Sequence, residues 1–289
     1  MSLGLAIEPY PISGAARLVA AITLSGSTAA TDVLSTSIGM RCTNRKKGDA
    51  RAMPLTLLKD LRAATTQVEG CDAHFITQRD QLSRVAEIIA NAERVRVLNP
   101  VGHHELFRKE MRWSREEAAH TRDGLDLPTM ELKLTEEVGF RVAADRKAMD
   151  LLAEWDTGRA FMKMTREAIA SSSAIALVTC SRSDPRALLD AGRAVQRLWL
   201  QASALGLAVT PCAAPILLAH HVRFGNGLGM NDRERSSLLE LLQDLKDAFA
   251  INEREPVFML RLAFAAVPTA RSARKPIEDF FFAHQLATA

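Results

Sequence analysis

The stretch from Asp184 to Cys212 constrains this chain more than any other. Asp184 has a side chain that can cap a helix N-terminus, and Pro185 stands at a first helical position, where no amide partner is lost. Leu188, Ala191, Val195, Leu198, Trp199, Ala202 and Leu205 then recur at helical spacing and form an apolar stripe. Leu189, Ala194 and Leu200 make the opposite side partly apolar, and Gly192, Ser203 and Ala204 are small enough for another backbone to come close. Gly206 supplies the left-handed residue that ends a helix. The pattern predicts a long, central, buried helix over 184–205, followed by an extended piece over 207–212. A turn that leaves a buried helix is rigidly held, so residues 210–214 are a favourable place for chemistry.

The remaining periodicities place helices and strands around that centre. Helices are expected over 32–39, 54–64, 78–93, 105–111, 151–169 and 215–222, with another, leucine-striped, capped by Asp232. Strands are expected over 5–7, 74–77, 174–180 and 257–265, the third a continuous apolar run that reads as buried on both faces. Residues 14–24 fit either period, and 121–128 reads as a loop. With 289 residues, 47% of them hydrophobic, the chain can bury one large core or two modest ones. There is no repeat, low-complexity tract or linker, and the fold class expected is α+β, a central mixed or antiparallel sheet surrounded by helices. Residues 1–30 are set apart as an N-terminal segment, the remnant of a longer chain, and residues 31–289 as the domain.

Charge and cysteine content exclude several classes. A net charge of +3 is dispersed, and Tyr10 is the only tyrosine, which argues against a nucleic-acid platform. No apolar run approaches the roughly 20 residues of a membrane span, and no leader pattern opens the chain, so a cytoplasmic protein is expected. Cys42, Cys71, Cys180 and Cys212 show neither CxxC nor metal-ligand spacing and read as reduced thiols. The adjacent pairs His103–His104 and His220–His221 point different ways on a helix and do not suit zinc. Residues 225–229 are Gly-rich but lack the Lys-Ser/Thr of a phosphate loop.

Two basic clusters carry the chemistry. In Arg41-Cys42-Thr43-Asn44-Arg45, an extended backbone would aim Arg41, Thr43 and Arg45 to one side. Two guanidinium groups and a hydroxyl suit a phosphate and a polar ring edge, since arginine offers fixed, always-charged donors. The alternative is a solvated basic helix end. Arg271-Ser272-Ala273-Arg274-Lys275 is the second cluster, and a plain basic surface is its alternative. Arg261, inside an apolar strand, requires a partner, and a structural carboxylate is expected. Cys212 reads as a small buried hydrophobe. No Ser/His/Asp arrangement and no metal site is present.

Several stretches resemble one family in order along the chain. Residues 191–207, AGRAVQRLWLQASALGL, look like the central helix of the nitroreductase superfamily. Arg274-Lys275-Pro276-Ile277-Glu278-Asp279 is similar to its C-terminal RxPLEEVV stretch, and Arg41-Cys42-Thr43-Asn44-Arg45 to its N-terminal Arg-x-Ser/Thr-x-Arg/Lys element. With Arg122-Asp123-Gly124, the set resembles the divergent Acg-like branch and covers roughly residues 30 to 283. The resemblance implies a nitroreductase-like α+β fold, an FMN site and a homodimer. Arg41 and Thr43 would hold the phosphate and ribityl chain, and Arg45 the pyrimidine edge. Arg274, helped by Ser272, would complete the phosphate site, and the backbone of Pro211, Cys212, Ala213 and Ala214 would lie beside the reactive flavin nitrogen. The implied activity passes electrons from NAD(P)H through the flavin to an electron-poor acceptor, with no catalytic side chain required. One departure weighs against it. Ordinary members carry a PSxxNxQPW stretch that walls the flavin, and Leu61–Cys71 offers only Ala63-Ala64-Thr65-Thr66-Gln67. A catalytically inactive flavin-binding, storage or interaction domain of a larger protein is therefore the alternative.

Overall fold

The computed structural model describes residues 30–279 in full and the backbone of 2–9 and 20–27. Strands β1 (Ser2–Pro9) and β2 (Ala20–Ser27) form an antiparallel pair. The expected strand at 5–7 lies inside β1; of the ambiguous stretch 14–24, residues 20–24 fall in β2 and the rest lies outside the described residues. The domain then runs α1 (Leu55–Thr66), β3 (Cys71–Ile76), α2 (Arg79–Leu98), α3 (Pro100–His104), β4 (Met111–Arg112), α4 (Arg115–Thr121), β5 (Leu125–Asp126), α5 (Leu134–Ala143), α6 (Arg146–Glu154) and α7 (Ala160–Ala170). It ends with β6 (Ala174–Cys180), α8 (Pro185–Ala204), β7 (Ala208–Pro211), α9 (Ala214–Phe224), α10 (Asp232–Ala248) and β8 (Glu255–Ala263).

The central sheet is antiparallel, in the order β3-β6-β8-β7. All seven residues of β6 are buried, as a strand covered on both faces requires. Successive side chains alternate between faces. Ala174, Ala176, Val178 and Cys180 pack with Ala191, Leu198 and Trp199 of α8 and Leu61 of α1. Ile175 and Leu177 pack instead with α2, α9 and α10 through Ile89, Ile216 and Leu242. The fold is thus α+β, with helices on both sides of a small sheet.

Helix α8 has the expected ends. Asp184 accepts a hydrogen bond from the Ala187 amide at 2.9 Å, and Gly206 has φ +71°. It is not apolar on most sides, however. Gly192, Arg193 and Gln196 form an exposed stripe, because the face made by Ala187, Ala191, Ala194, Leu198 and Ala202 is the one turned to the sheet. Three other expectations need correction. The single helix at 151–169 is two, separated at residues 155–159, where Asp156 (φ +48°) and Gly158 (φ +82°) turn left-handed. The last long helix is capped by Asn231, not Asp232. Asn231 accepts from the Glu234 amide at 2.9 Å, and the Glu234 carboxylate returns to the Asn231 amide at 2.9 Å. The stretch 121–128 is not all loop, because β5 pairs in parallel with β4.

Residues 41–50 have no regular structure but run beside β7. The Asn44 amide donates to the Val209 carbonyl (2.9 Å), Asn44 Nδ2 to the Ala266 carbonyl (2.9 Å), and Thr210 Oγ1 to the Asn44 carbonyl (2.6 Å). Gly48 makes this approach possible, since a Cβ there would stand 2.5 Å from the Ser171 carbonyl oxygen and 2.8 Å from Ala263 Cβ. Among the described residues, no helix is long and apolar enough to cross a membrane.

The close approach at Gly48 gives a stability test. Gly48→Ala should destabilise the fold by about 1–3 kcal/mol, because backbone must move. Gly139→Ala, in the open interior of α5 with no atom within 4 Å of the added Cβ, should stabilise by about 0.5–1 kcal/mol. Urea unfolding of the two variants should therefore shift in opposite directions.

Candidate functional site

A cavity of about 430 Å³ opens where residues 45–47, the end of β7, α2 and α7 meet. Arg45, Pro211, Cys212, Glu93, Thr165 and Arg261 are among its walls. Arg261 reaches it from β8 and is 2% exposed. Among the described residues the carboxylate partner expected for it is absent. Its guanidinium donates instead to backbone carbonyls, from Nη2 to Lys46 (2.6 Å) and Asn44 (3.3 Å) and from Nη1 to Ala168 (3.3 Å), and its buried Nε has no partner. The carbonyls are there because residues 44–46 lie over the sheet edge at that point, an arrangement no local pattern in β8 announces.

The cations of the cavity divide into two kinds. Lys46 pairs with Glu131 (3.4 Å), and Lys47 with Glu167 (2.5 Å) and Glu136 (3.7 Å). These charges are already balanced. Arg45 has only the Thr129 carbonyl, 3.2 Å from Nη1, and neither Arg45 nor Arg261 has a carboxylate partner among the described residues. Burial lowers the pKa of both, and Arg45 lowers that of Arg261 further. Two like charges are thus held near one another, short of solvent, facing a cavity.

A second pair of like charges lies nearby along the chain. Arg274 Nη2 donates to the Arg41 carbonyl at 2.9 Å, so the two clusters, more than two hundred residues apart, do meet. The Arg41 guanidinium sits over the Trp199 ring of α8, 4.7 Å from its centroid, a cation–π contact. Burial lowers the pKa of Arg41, and the adjacent Arg274 lowers it further. Arg271 is tied to the same turn through the Met40 carbonyl (2.9 Å). Along the backbone, Arg41 and Arg45 are at most about 14 Å apart.

The other expected residues scatter more. Pro211 and Cys212 line the cavity with Arg45. Cys212 is buried among apolar neighbours, as expected, and burial pushes its thiol up to about 12. Ala213 is buried at the start of α9, and Ala214 lines a different cavity, with Arg96 and Glu110. Thr43 is half-buried and Ser272 exposed; Arg41 and Arg274 lie outside the cavity that holds Arg45. Among the described residues no His/Cys/Asp/Glu cluster could hold a metal.

Glu93 is the residue the sequence left unmarked. It extends the buried stripe Leu82, Val85, Ala86 and Ile89 of α2 by one helical turn, so its carboxyl faces inward. Burial raises its pKa, against the opposing effects of the Thr165 hydroxyl, which donates to it, and of Arg96. A carboxylate in an otherwise apolar stripe was the available signal.

Comparisons with known proteins add the following. No family model matches the chain. It is 30% identical over 239 residues, 82% of its length, to an uncharacterized protein of Mycobacterium tuberculosis (strain CDC 1551 / Oshkosh), and the match covers 32% of that protein. The chain spans about a third of the length of that relative. Among solved structures it is similar to an FMN- and NADPH-dependent nitroreductase, NfnB, from Sphigopyxis sp. strain HMH (TM-score 0.49, 14% identity, 88% of this chain and 99% of that one). It is also similar to the FMN-dependent nitroreductase NfnB from Mycobacterium smegmatis, solved with NADPH (TM-score 0.47, 13% identity, 87% and 97%).

Glu93 makes stability depend on pH in a stated direction. Below about pH 4.5, the ordinary glutamate range, the carboxyl is protonated folded or unfolded and contributes no pH dependence. As pH rises toward the raised folded pKa, the unfolded chain releases the proton first, so folding loses stability. Glu93→Gln cannot titrate. Its stability relative to the parent should therefore improve as pH rises from about 4.5 to 8, as measured by urea unfolding at stepped pH.

Proposed function

We propose that this chain is an FMN-binding oxidoreductase of the nitroreductase superfamily. The observation that carries this reading is the pair of unneutralised guanidinium couples, Arg41 with Arg274 and Arg45 with Arg261, set along one run of backbone beside an open cavity. Like charges held together cost free energy unless an anion joins them. The residues fit FMN on their donor chemistry. A phosphate suits the couple of half-buried Arg41 and exposed Arg274, with Thr43 and Ser272 as hydroxyl donors. A ring edge that gains negative charge suits Arg45, and the unpartnered Nε of Arg261 is a spare donor at the same cavity. The backbone at Pro211 and Cys212 is the wall beside the reactive part of the ring. Ala213 and Ala214 take a lesser part in this reading, since Ala214 faces another cavity.

When bound, FMN supplies two-electron chemistry between NAD(P)H and an electron-poor acceptor. The chain's own part is to position the ring, to offset negative charge at its polar edge and to exclude water with Ile89, Met130 and Ile169. A cytoplasmic homodimer goes with this reading, the exposed Gly192, Arg193 and Gln196 stripe of α8 being available for a second copy.

A second reading, a flavin-holding domain that reduces nothing, draws on the stretch 61–71. Gln67, its one amide, accepts a hydrogen bond from Arg197, which also pairs with Asp32. That amide is committed to holding α1 against α8 and offers no wall for a ring.

The absorption spectrum of the purified chain, with FMN added, separates these readings. Yellow protein that bleaches with NAD(P)H is the expected result; yellow protein that does not bleach favours the second reading; protein that takes up no FMN refutes both. Arg45→Ala and Arg274→Ala should each weaken FMN binding by about tenfold or more, the loss of one charge-assisted hydrogen bond. Unchanged titration curves for both would show that the site lies elsewhere.

A further inference from the structure

Cys71 and Cys180 are direct cross-strand partners of β3 and β6. The hydrogen-bond phase of that ladder fixes how close they are. The Ser181 amide donates to the Gly70 carbonyl at 2.9 Å, so the Gly70/Ser181 pair is a hydrogen-bonded one and the next pair, Cys71/Cys180, is not. In an antiparallel ladder the non-hydrogen-bonded positions bring Cα atoms to about 4.5 Å, with side chains on the same face and nearer than at the alternate positions. A disulfide spans Cα separations of about 4.4–6.8 Å. The pair therefore meets the Cα-separation condition, neither cysteine is in a disulfide, and the Cys180 thiol donates to the Arg182 carbonyl at 2.7 Å.

A small reagent has a route to this pair. A cavity of about 280 Å³ has both cysteines among its walls, with Glu69 and Gly70 on one side and Ser181 and Arg182 on the other. Cys71 is 7% exposed and Cys180 1%. Arg254 spans the two strands beside them, donating to the Gly70 carbonyl at 2.8 Å and to Thr179 Oγ1 at 2.7 Å. Burial raises the pKa of both thiols, with Asp190 adding to this at Cys71 and Glu255 at Cys180, and the fixed Arg254 guanidinium opposes the shift at both. Cys42 and Cys212 have no cysteine opposite them.

We propose that Cys71 and Cys180 form a reversible dithiol–disulfide site, oxidised by hydrogen peroxide that enters through the cavity. Cys71, the more exposed, loses its proton and attacks the peroxide O–O bond. A sulfenic acid forms on Cys71, and the displaced hydroxide takes up the proton as water. The Cys180 sulfur then displaces the sulfenic hydroxyl, forming the S–S bond, and its own proton leaves with that hydroxyl as a second water. Two electrons pass from the dithiol to the peroxide, which ends as two molecules of water. Because β3 is the sheet's edge strand, the bond ties that edge to the buried β6. Burial pushes the Cys71 thiol up to about 11, so the resting group is protonated and its oxidation accelerates about tenfold per pH unit below that value.

The test is to treat the folded, full-length chain with hydrogen peroxide, quench, unfold it in an alkylating agent and map the peptides by mass spectrometry without reduction. The expected result is an intramolecular Cys71–Cys180 link that dithiothreitol removes, with Cys42 and Cys212 recovered alkylated, and a rate that climbs with pH. Recovery of both Cys71 and Cys180 as alkylated thiols would overturn the proposal, as would separate sulfinic acids without a link. The Cys180→Ala chain provides an independent check, with its fold confirmed by circular dichroism. It should accumulate a Cys71 sulfenic acid that dimedone traps, and absence of the adduct would also overturn the scheme.

Discussion

One buried guanidinium holds the candidate site together. Arg261 carries its charge into the sheet, where an unpaired ion would be very costly, and its compensation comes from the carbonyls of Lys46, Asn44 and Ala168. Those contacts tie an irregular segment to the sheet edge and fix the direction in which Arg45 leaves it. An aspartate or glutamate partner would have neutralised Arg261. Carbonyl dipoles satisfy its hydrogen bonds and leave its charge uncancelled. The electrostatic character of the cavity follows from that difference, since Lys46 and Lys47, which do have carboxylates, add no net demand for an anion.

What could be read in advance was what local rules decide. The limits of α8 follow from Asp184, Pro185 and Gly206, each of which acts on its own turn of backbone. Strand β6 follows from an unbroken apolar run that only a doubly covered strand can bury. The misreadings have local causes too. Asn231 and Asp232 are both good caps, and the choice falls to Asn231 because Glu234 stands three residues on and can return the bond. The break after α6 requires left-handed backbone at Asp156, which is not a glycine and gave no signal.

The site was legible only in part, for a different reason. The alternation of Arg41, Thr43 and Arg45 suggested an anion, and likeness to a known pattern connected it to Arg274. The Arg274 contact with the Arg41 carbonyl spans a separation no periodicity reports. Glu93 went unmarked although it stands as a carboxyl in an apolar stripe, because its meaning depends on Thr165 and on a cavity wall built from α7. Arg261 stands in an apolar strand as a charge in need of a partner; that the partner is backbone follows only from where residues 44–46 lie.

The alternation of β6 separates two kinds of chemistry. Its odd-numbered side chains face α2, α9 and α10, the side on which Cys212 and the cavity with Arg45 lie. Its even-numbered side chains end in Cys180, which faces α1 and α8 together with Cys71. The packed four-stranded sheet stands between them. The coupling left open is mechanical. Trp199, which carries Arg41, packs in the same apolar cluster as Cys71 and Cys180. Close-packed interiors transmit strain. A change in the spacing of β3 and β6 would therefore be felt first at the guanidinium couple of Arg41 and Arg274, before the cavity on the far face.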